Sequence, residues 1–294
     1  AVPHAHGEVL AAVGALVAKP RRADDLVVRV HRVLRPVAVL GALVTGEPAF
    51  GLARFAGDFG RVSVAPDGAV SFSASLAYNG LTLPHPYAHF RYADGELTVV
   101  AFNGQEANTG DDTLLTMLQQ PNWGVASTGT ETAFIAGLDS PYLAAGNRAI
   151  LTQAGNGPAT ILVREGDTPM MEPPATSYFV LGGISPTDHV DRHVAMNTFG
   201  ETLFYAVIYD AIGDEFGSGI WLDRRMTGLE RVVRSGDPAA DGAAFDAFDP
   251  RVTFNHAGIV GFTASLVGPG VTAYDKEGVW IVYTDGTLRQ LVRK

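Results

Sequence analysis

A short acidic and imidazole-rich segment, containing Asp188, His189, Asp191 and His193, is the most chemically suggestive part of the sequence. Alternate residues of an extended strand point to the same side, so His189, Asp191 and His193 would share one side. Imidazole and carboxylate groups are ligands for divalent metals and are also common general acids and bases. We therefore predict a binding site here. The alternative interpretation is a polar lining of a water-filled channel.

A second group of candidates is acidic or aromatic and lies in long segments between predicted strands. Carboxylates of this kind can hold Ca²⁺ or perform acid–base chemistry on a glycoside, and aromatic rings offer flat apolar faces to sugars. The candidate binding residues in this group are Trp123, Tyr142, Asp210, Asp214 and Tyr274. No calcium-loop template is present, so Ca²⁺ or another divalent metal stays an open prediction and no cofactor is clearly implied. The alternative is a solvated acidic surface.

The composition and motifs exclude several classes of site. The 294 residues contain no Cys, which excludes disulfides, thiolate catalysis and Cys-ligated metal centres. The sequence has no Gly-x-Ser-x-Gly elbow, phosphate loop, dinucleotide fingerprint or His-Glu-x-x-His motif. A net charge of −10 argues against nucleic acid, and no apolar run is long enough for a transmembrane helix. The predicted partner is a carbohydrate or a protein.

Two sequence anchors recur through the chain and predict the elements that position these residues. The first is a turn like Asn197-x-x-Gly200, followed by alternating apolar residues, and its turn position recurs at residues 7, 68, 130, 200 and 258. The second is a Gly, followed by Asp in two repeats, at residues 46, 104, 166 and 236. The copies of each anchor lie about 60 residues apart, and the two series keep the same spacing, which predicts five repeats.

Each repeat shows the pattern of four short antiparallel strands. Period-two alternation after the first anchor indicates a strand, and Asp94-Gly95 and Asp285-Gly286 indicate tight hairpins. Such a repeat is typical of a propeller blade, which buries its faces only against neighbouring blades. We therefore predict an all-β, five-bladed β-propeller, with a β-solenoid and a β-sandwich as rivals. The prediction is one domain over 1–294, with approximate repeats 1–46, 47–104, 105–166, 167–236 and 237–294.

The same pattern separates two sides of the predicted disc. Connections after the second and fourth strands are long and irregular, whereas the other turns are tight. Function tends to lie on loops held by a rigid scaffold, so the long-connection side is the predicted working side. Trp221 and Trp280 occupy equivalent positions in two repeats and are predicted to be core residues.

The anchors resemble the signatures of a bacterial tandem-repeat family with the pattern Asn-x-x-Gly-x-x-x-Ala-Phe. The matches are closest at Asn197, Gly200 and Phe204 and at Asn255, Gly258 and Phe262, while Thr130 replaces the glycine in the third repeat. The resemblance implies an exported protein, periplasmic, cell-surface or extracellular, and supplies no catalytic residue set. We expect a non-catalytic binding or structural assembly module that uses its long-connection side. The alternative is a hydrolase or lyase that acts on a carbohydrate or other polymer at the channel mouth.

Overall fold

The computed structural model describes residues 27–29, 36–39, 53–65, 67–78, 87–107, 114–116, 125–128, 130–139, 148–155, 157–168, 178–181, 194–210 and 215–294. Within these ranges the regular structure is β-strand, apart from a 3₁₀ turn at Ala240–Gly242. None of these residues belongs to a helix with the length and apolarity needed to cross a membrane. The predicted all-β class is confirmed.

The strands form five antiparallel sheets, which we number I to V in chain order. Sheet I contains β1 (Val27–Arg29) and β2 (Pro36–Val39). Sheet II contains β3 (Ala53–Val64), β4 (Val70–Tyr78), β5 (Tyr87–Ala93) and β6 (Glu96–Phe102). Sheet III contains β7 (Leu114–Thr116), β8 (Val125–Ser127), β9 (Glu131–Asp139), β10 (Arg148–Ala154) and β11 (Thr160–Arg164). Sheet IV contains β12 (Tyr178–Val180), β13 (Val194–Met196), β14 (Thr202–Tyr209), β15 (Glu215–Arg224) and β16 (Gly228–Arg234). Sheet V contains β17 (Ala244–Phe248), β18 (Thr253–Phe254), β19 (Val260–Val267), β20 (Glu277–Val282) and β21 (Leu288–Arg293).

The first strand is divided into two pieces in sheets III, IV and V. In sheet IV, β12 pairs with the end of β14, from Tyr178 opposite Tyr209, whereas β13 pairs with its beginning, from Met196 opposite Thr202. Sheet II instead has one long first strand, β3, whose register shifts between Phe55 and Val62. Sheets II to V therefore follow the predicted four-strand order, with the first strand divided in sheets III to V and continuous but shifted in register in sheet II.

The Asn-x-x-Gly anchor is a hydrogen-bonded turn between the first and second strands. In sheet IV the Asn197 Oδ1 accepts the backbone N–H groups of Phe199 and Glu201, each at 3.0 Å. Gly200 takes φ +77°, which side chains with a Cβ rarely adopt. In sheet III the same turn is one residue shorter, because the Thr128 N–H donates to the Glu131 carbonyl at 2.7 Å. The expectation that Thr130 fills the glycine position is therefore wrong; that position is deleted there.

The Gly-Asp anchor ties the last strand of one sheet to the first strand of the next sheet. The Gly236 N–H donates to the Phe245 carbonyl at 2.8 Å, and the Phe245 N–H donates to the Asp237 carbonyl at 3.0 Å. The Asp237 carboxylate also accepts the Arg234 N–H at 2.9 Å, which fixes the turn. Gly166 and Phe179 make the same junction between sheets III and IV. This anchor is thus a junction between repeats and not only a turn.

A repeated set of three large apolar side chains forms the centre of each sheet. The sets are Phe55, Phe72 and Phe90 in sheet II, Leu115, Phe134 and Leu151 in sheet III, Phe179, Phe204 and Trp221 in sheet IV, and Phe245, Phe262 and Trp280 in sheet V, all buried. The second and third members are direct cross-strand partners, as in Phe204 opposite Trp221. The prediction that Trp221 and Trp280 are core residues is confirmed. Aromatic contacts of this kind, such as 5.0 Å between the Phe179 and Trp221 ring centroids, add to the stability from burial alone.

Sheets II to V pack face to face in chain order. In sheet IV, Phe204 and Trp221 belong to the core shared with sheet III. Leu203 and Ile220, on the opposite face of the same strands, belong to the core shared with sheet V. Sheets III, IV and V therefore each present their set of three to the preceding sheet, and sheets II, III and IV present the other face to the following sheet.

The outer face of sheet V departs from this arrangement. Val279 and Val292, direct cross-strand partners, are 39% and 60% exposed. Their equivalents in sheet IV, Ile220 and Val233, are 0% and 4% exposed because sheet V covers them. No sheet closes on itself within the described residues.

Candidate functional site

A polar cluster lies at the junction of sheets IV and V, around Tyr205 in β14. Tyr205 follows Phe204 and therefore points toward sheet V, where it borders the core shared by the two sheets. Its hydroxyl is hydrogen-bonded to the side chain of Ser218 in β15. Glu215, at the start of β15, and Asp249, after β17, lie near enough to act on the phenol electrostatically. We call Tyr205, Ser218, Ser235, Glu215 and Asp249 the Tyr205 cluster.

Two serines fix the sheet IV side of this cluster. The Ser235 hydroxyl donates to the Ser218 carbonyl at 3.1 Å, and the Ser218 N–H donates to the Ser235 Oγ at 3.1 Å. Gly217, beside them, has φ +150°, and a Cβ there would lie 3.0 Å from the Ser235 Cβ. The close approach of these two strands, and with it the orientation of both hydroxyls, therefore depends on glycine at this position.

The carboxylates of sheet V are held by specific partners. The Asp249 Oδ1 accepts from the Arg251 backbone N–H and from its Nε, each at 2.9 Å, and the Arg251 Nη2 donates to Oδ2 at 2.5 Å. Nearby, the Ser265 hydroxyl donates to the Asp246 Oδ2 at 3.2 Å. A carboxylate has about four lone-pair sites in all, so it can accept hydrogen bonds from more than one group at once.

Electrostatics keep the central phenol neutral. Burial raises the pKa of Tyr205, the hydrogen bond from Ser218 lowers it, and the negative charges of Glu215 and Asp249 raise it further. A tyrosine nucleophile or base needs the opposite shift, toward the ionised form. The cluster is therefore equipped to donate and accept hydrogen bonds.

Two of the residues predicted from the sequence lie within the described ranges. Asp210 follows β14 directly and is half-buried. It begins the connection between β14 and β15, the strands that carry Tyr205 and Ser218. Tyr274 is 88% exposed and lies in the connection between β19 and β20, where the neighbouring Asp275 accepts from the Thr272 hydroxyl at 2.8 Å. The two therefore belong to different sheets. The other candidates, Asp188, His189, Asp191, His193, Trp123, Tyr142 and Asp214, lie outside the described residues.

Sequence reasoning missed Tyr205, Ser218 and Ser235 because it treated their segments as structural strands. A signal was available in the first anchor. The residue after the anchor Phe is Ile135 in the third repeat and Tyr205 in the fourth, so one repeat carries a hydroxyl where another carries an aliphatic side chain.

A charged network lies at the opposite, tight-turn side of sheets III and IV. Arg224 donates to Glu230 at 2.6 Å and to Glu201 at 3.4 Å, while Arg225 pairs with Glu131 of sheet III. Burial, with a smaller contribution from Glu201, raises the pKa of Asp223. Three of these carboxylates, Glu131, Glu201 and Glu230, are thus bound to arginines that link strands and sheets, which is a structural role. In the part of the chain that the structure describes, no three His, Asp or Glu side chains are grouped so as to hold a metal ion.

Comparison with known proteins gives distant structural likenesses. The Hadza microbial sialidase Hz136 matches with a TM-score of 0.38 and 8% identity, over 79% of this chain and 45% of that chain. The subtype N11 neuraminidase-like protein of the flat-faced bat isolate H18N11 matches with a TM-score of 0.35 and 12% identity, over 78% and 50%. A GH43 glycoside hydrolase with endo-xylanase and exo-arabinofuranosidase activity matches with a TM-score of 0.24 and 10% identity, over 82% and 53%. This chain thus spans about half the length of these solved chains, and likenesses at these TM-scores assign no activity to it.

No curated protein matches the chain. A protein-family model, described as a family of unknown function (DUF7453), matches residues 6–294. That match spans nearly the whole sequence and both sheets of the Tyr205 cluster. The chain therefore belongs to the family of unknown function DUF7453.

Proposed function

We propose that this protein is a non-catalytic binding module that holds a neutral, hydroxyl-rich ligand, such as an oligosaccharide, at the Tyr205 cluster. The observation that carries the proposal is the convergence of a neutral phenol, two serine hydroxyls and the Asp249 carboxylate at one junction between sheets. Such groups exchange hydrogen bonds with sugar hydroxyls, and the Tyr205 ring offers an apolar face to the sugar. The negative charges of Glu215 and Asp249 would disfavour acidic sugars.

A binding role fits these groups better than a hydrolytic one. Glycoside hydrolysis ordinarily needs two carboxyl groups, one of them kept protonated as the acid. Here Asp249 is paired with Arg251, and Tyr205 is kept neutral. Hydrolysis or elimination at a channel mouth is the alternative function, and the same experiment tests it.

The proposed architecture is a five-bladed β-propeller in which the first repeat completes the ring. The support is the outer face of sheet V, where Val279 and Val292 stand at positions that are covered in the preceding sheets. The repeat preceding sheet II is the unit available to cover this face. Export from the cytoplasm, which the sequence resemblance implies, is part of the same proposal.

The test is a glycan array of neutral and acidic oligosaccharides, followed by isothermal titration calorimetry of any ligand that binds. We expect neutral glycans to bind, and Tyr205→Phe and Asp249→Asn each to weaken the affinity at least about tenfold, as expected for a lost hydrogen bond in a site that excludes water. Tyr283→Phe, which removes a phenol hydroxyl at a tight turn of sheet V, is the matched control and should bind as the wild type does.

Three results would contradict the proposal. One is an array with no glycan bound, and another is binding that Tyr205→Phe and Asp249→Asn leave unchanged. The third is the release of new reducing or unsaturated ends from a bound glycan, which would establish the alternative enzymatic function.

A further inference from the structure

The face of sheet II that meets sheet III is polar where the equivalent faces of the following sheets are mainly apolar. The repeats align through their central cross-strand pairs, Phe72 opposite Phe90 and Phe204 opposite Trp221. By this alignment Ser71 corresponds to Leu203, His89 to Ile220 and Arg91 to Leu222. All of these positions are buried, with Ser71 0%, His89 1% and Arg91 9% exposed. A buried polar patch at positions that suit aliphatic side chains demands an explanation.

Several polar atoms in this patch lack partners. Among the described residues, the Ser71 Oγ, the His89 Nδ1 and the Arg91 Nε and Nη1 are buried without a hydrogen bond. The His89 Nε2 does donate, to the Ile135 carbonyl of sheet III at 3.3 Å, which leaves Nδ1 as the acceptor of the neutral ring. Burying a guanidinium with no acidic partner is costly, so the patch as it stands is incomplete.

The unpartnered groups lie close together. Ser71 is the direct cross-strand partner of Arg91, which places their Cβ atoms about 5 Å apart. His89 lies two residues before Arg91 on β5 and therefore on the same face. Sheet III faces them, because the rings of His89 and Phe134 lie 5.5 Å apart.

Sheet III adds a further donor at the same level of the interface. Ser127 is the cross-strand partner of Thr132, in the row next to the Phe134 pair. The Ser127 Oγ is also buried without a hydrogen bond. Sheet III thus adds a buried hydroxyl on the face that meets sheet II.

We propose that this region is a buried binding site for a small oxyanion, a carboxylate or an inorganic phosphate or sulfate, with Arg91 as its principal ligand. The Arg91 Nε and Nη1 are both N–H donors of a permanently charged guanidinium, so each can donate a hydrogen bond to an oxygen of such an anion. Ser71 and Ser127 supply hydroxyl donors. His89 is uncharged and accepts from a water molecule or from a protonated oxygen of the ligand. The anion joins sheets II and III through hydrogen bonds, whereas the other sheets are joined by apolar contact.

The test is thermal unfolding of the full chain in sodium acetate, phosphate or sulfate, each compared with sodium chloride at equal ionic strength. We expect at least one oxyanion to raise the midpoint by about 5 °C at a hundredfold excess over its Kd, and the comparison among the three identifies the preferred class. Arg91→Leu, which introduces the leucine that sheet IV carries at the equivalent position, should abolish the rise in the unfolding midpoint. Arg289→Leu, which removes an exposed arginine of sheet V, should retain it.

Arg91→Lys provides the second measurement, by isothermal titration calorimetry, and applies even if Arg91→Leu does not fold. It keeps the positive charge but loses the several fixed N–H donors of the guanidinium, so the Kd for the preferred anion should rise at least about tenfold. The proposal is overturned if no oxyanion stabilises the wild type beyond chloride. It is equally overturned if Arg91→Leu responds as the wild type does, or if Arg91→Lys binds with an unchanged Kd.

Discussion

His89 makes the stability of this protein depend on pH in a way that one substitution should remove. The ring is fully buried between sheets II and III, and burial lowers its pKa from 6.5 to about 4, although the hydrogen bond to the Ile135 carbonyl acts in the opposite direction. The folded state therefore holds the neutral ring in a pH range where the unfolded chain binds a proton.

The magnitude follows from this difference in pKa. Between pH 6.5 and pH 4 the unfolded state binds one more proton than the folded state, so the free energy of unfolding falls as the pH falls. At about 1.4 kcal/mol per pH unit the whole window amounts to about 3 kcal/mol. Between pH 7.5 and pH 4.5 the loss should be about 2.5 kcal/mol, and below pH 4 it should not grow further.

The assay is urea unfolding at pH 7.5 and 4.5, in piperazine and bis-tris buffers that contain no phosphate or carboxylate. His89→Ile is the informative variant, because sheets III and IV carry Ile150 and Ile220 at the equivalent position. It should lose about 2.5 kcal/mol less than the wild type over this range, while His256→Gln, at an exposed turn, should follow the wild type. Parallel losses in the wild type and His89→Ile would refute the reasoning, whatever constant offset the substitution adds.

Two further predictions concern the junctions between sheets. Asp237→Ala removes the acceptor of the Arg234 N–H beside the junction of sheets IV and V and should cost about 1 kcal/mol in urea unfolding, together with faster amide exchange at that junction. Asp285→Ala removes a similar turn acceptor away from any such junction, so faster amide exchange should stay within sheet V. Equal spreading of faster exchange to a second sheet in both variants would contradict a joining role for the Gly-Asp anchor. Val279→Asp should destabilise a closed ring by about 3 kcal/mol, whereas Met226→Asp, at a 94% exposed turn, should change stability by less than about 0.5 kcal/mol. Equal small effects would show that the outer face of sheet V stays in solvent.

The local turns and central pairs could be predicted from the sequence because their physical causes are local. A glycine with positive φ beside an Asn or Asp acceptor leaves a signature of a few residues, as at Asn197 and Gly200. Period-two alternation then places Phe204 and Trp221 on one face without any knowledge of distant contacts. These features recur in sheets II, IV and V, so each copy strengthens the prediction of the others.

The divided first strand could not be predicted in the same way. Pieces such as β12 and β13 have three residues each, which is too short for a periodic pattern, and they are held by the longer β14 beside them. The joining role of the Gly-Asp anchor was also hidden, because its partner Phe245 lies beyond the turn itself. Both features arise from pairing between segments, which a local pattern does not record.

Tyr205 and Ser218, and the buried polar residues Ser71, His89 and Arg91, were missed for a common reason, and that reason also indicates where function lies in this protein. All five are polar residues in strands, at positions that keep the strand pattern intact. Their meaning emerges only when each sheet is compared with its equivalents: where the fourth repeat has Tyr205, the others carry Ser73, Ile135 and Thr263, and the fourth carries Leu222 where the second has Arg91. Since the repeats share one packing plan, a buried departure from that plan brings no benefit to packing and must be compensated by another partner. The junctions between sheets, where these departures meet, are therefore the places at which this scaffold can acquire ligands without changing its fold.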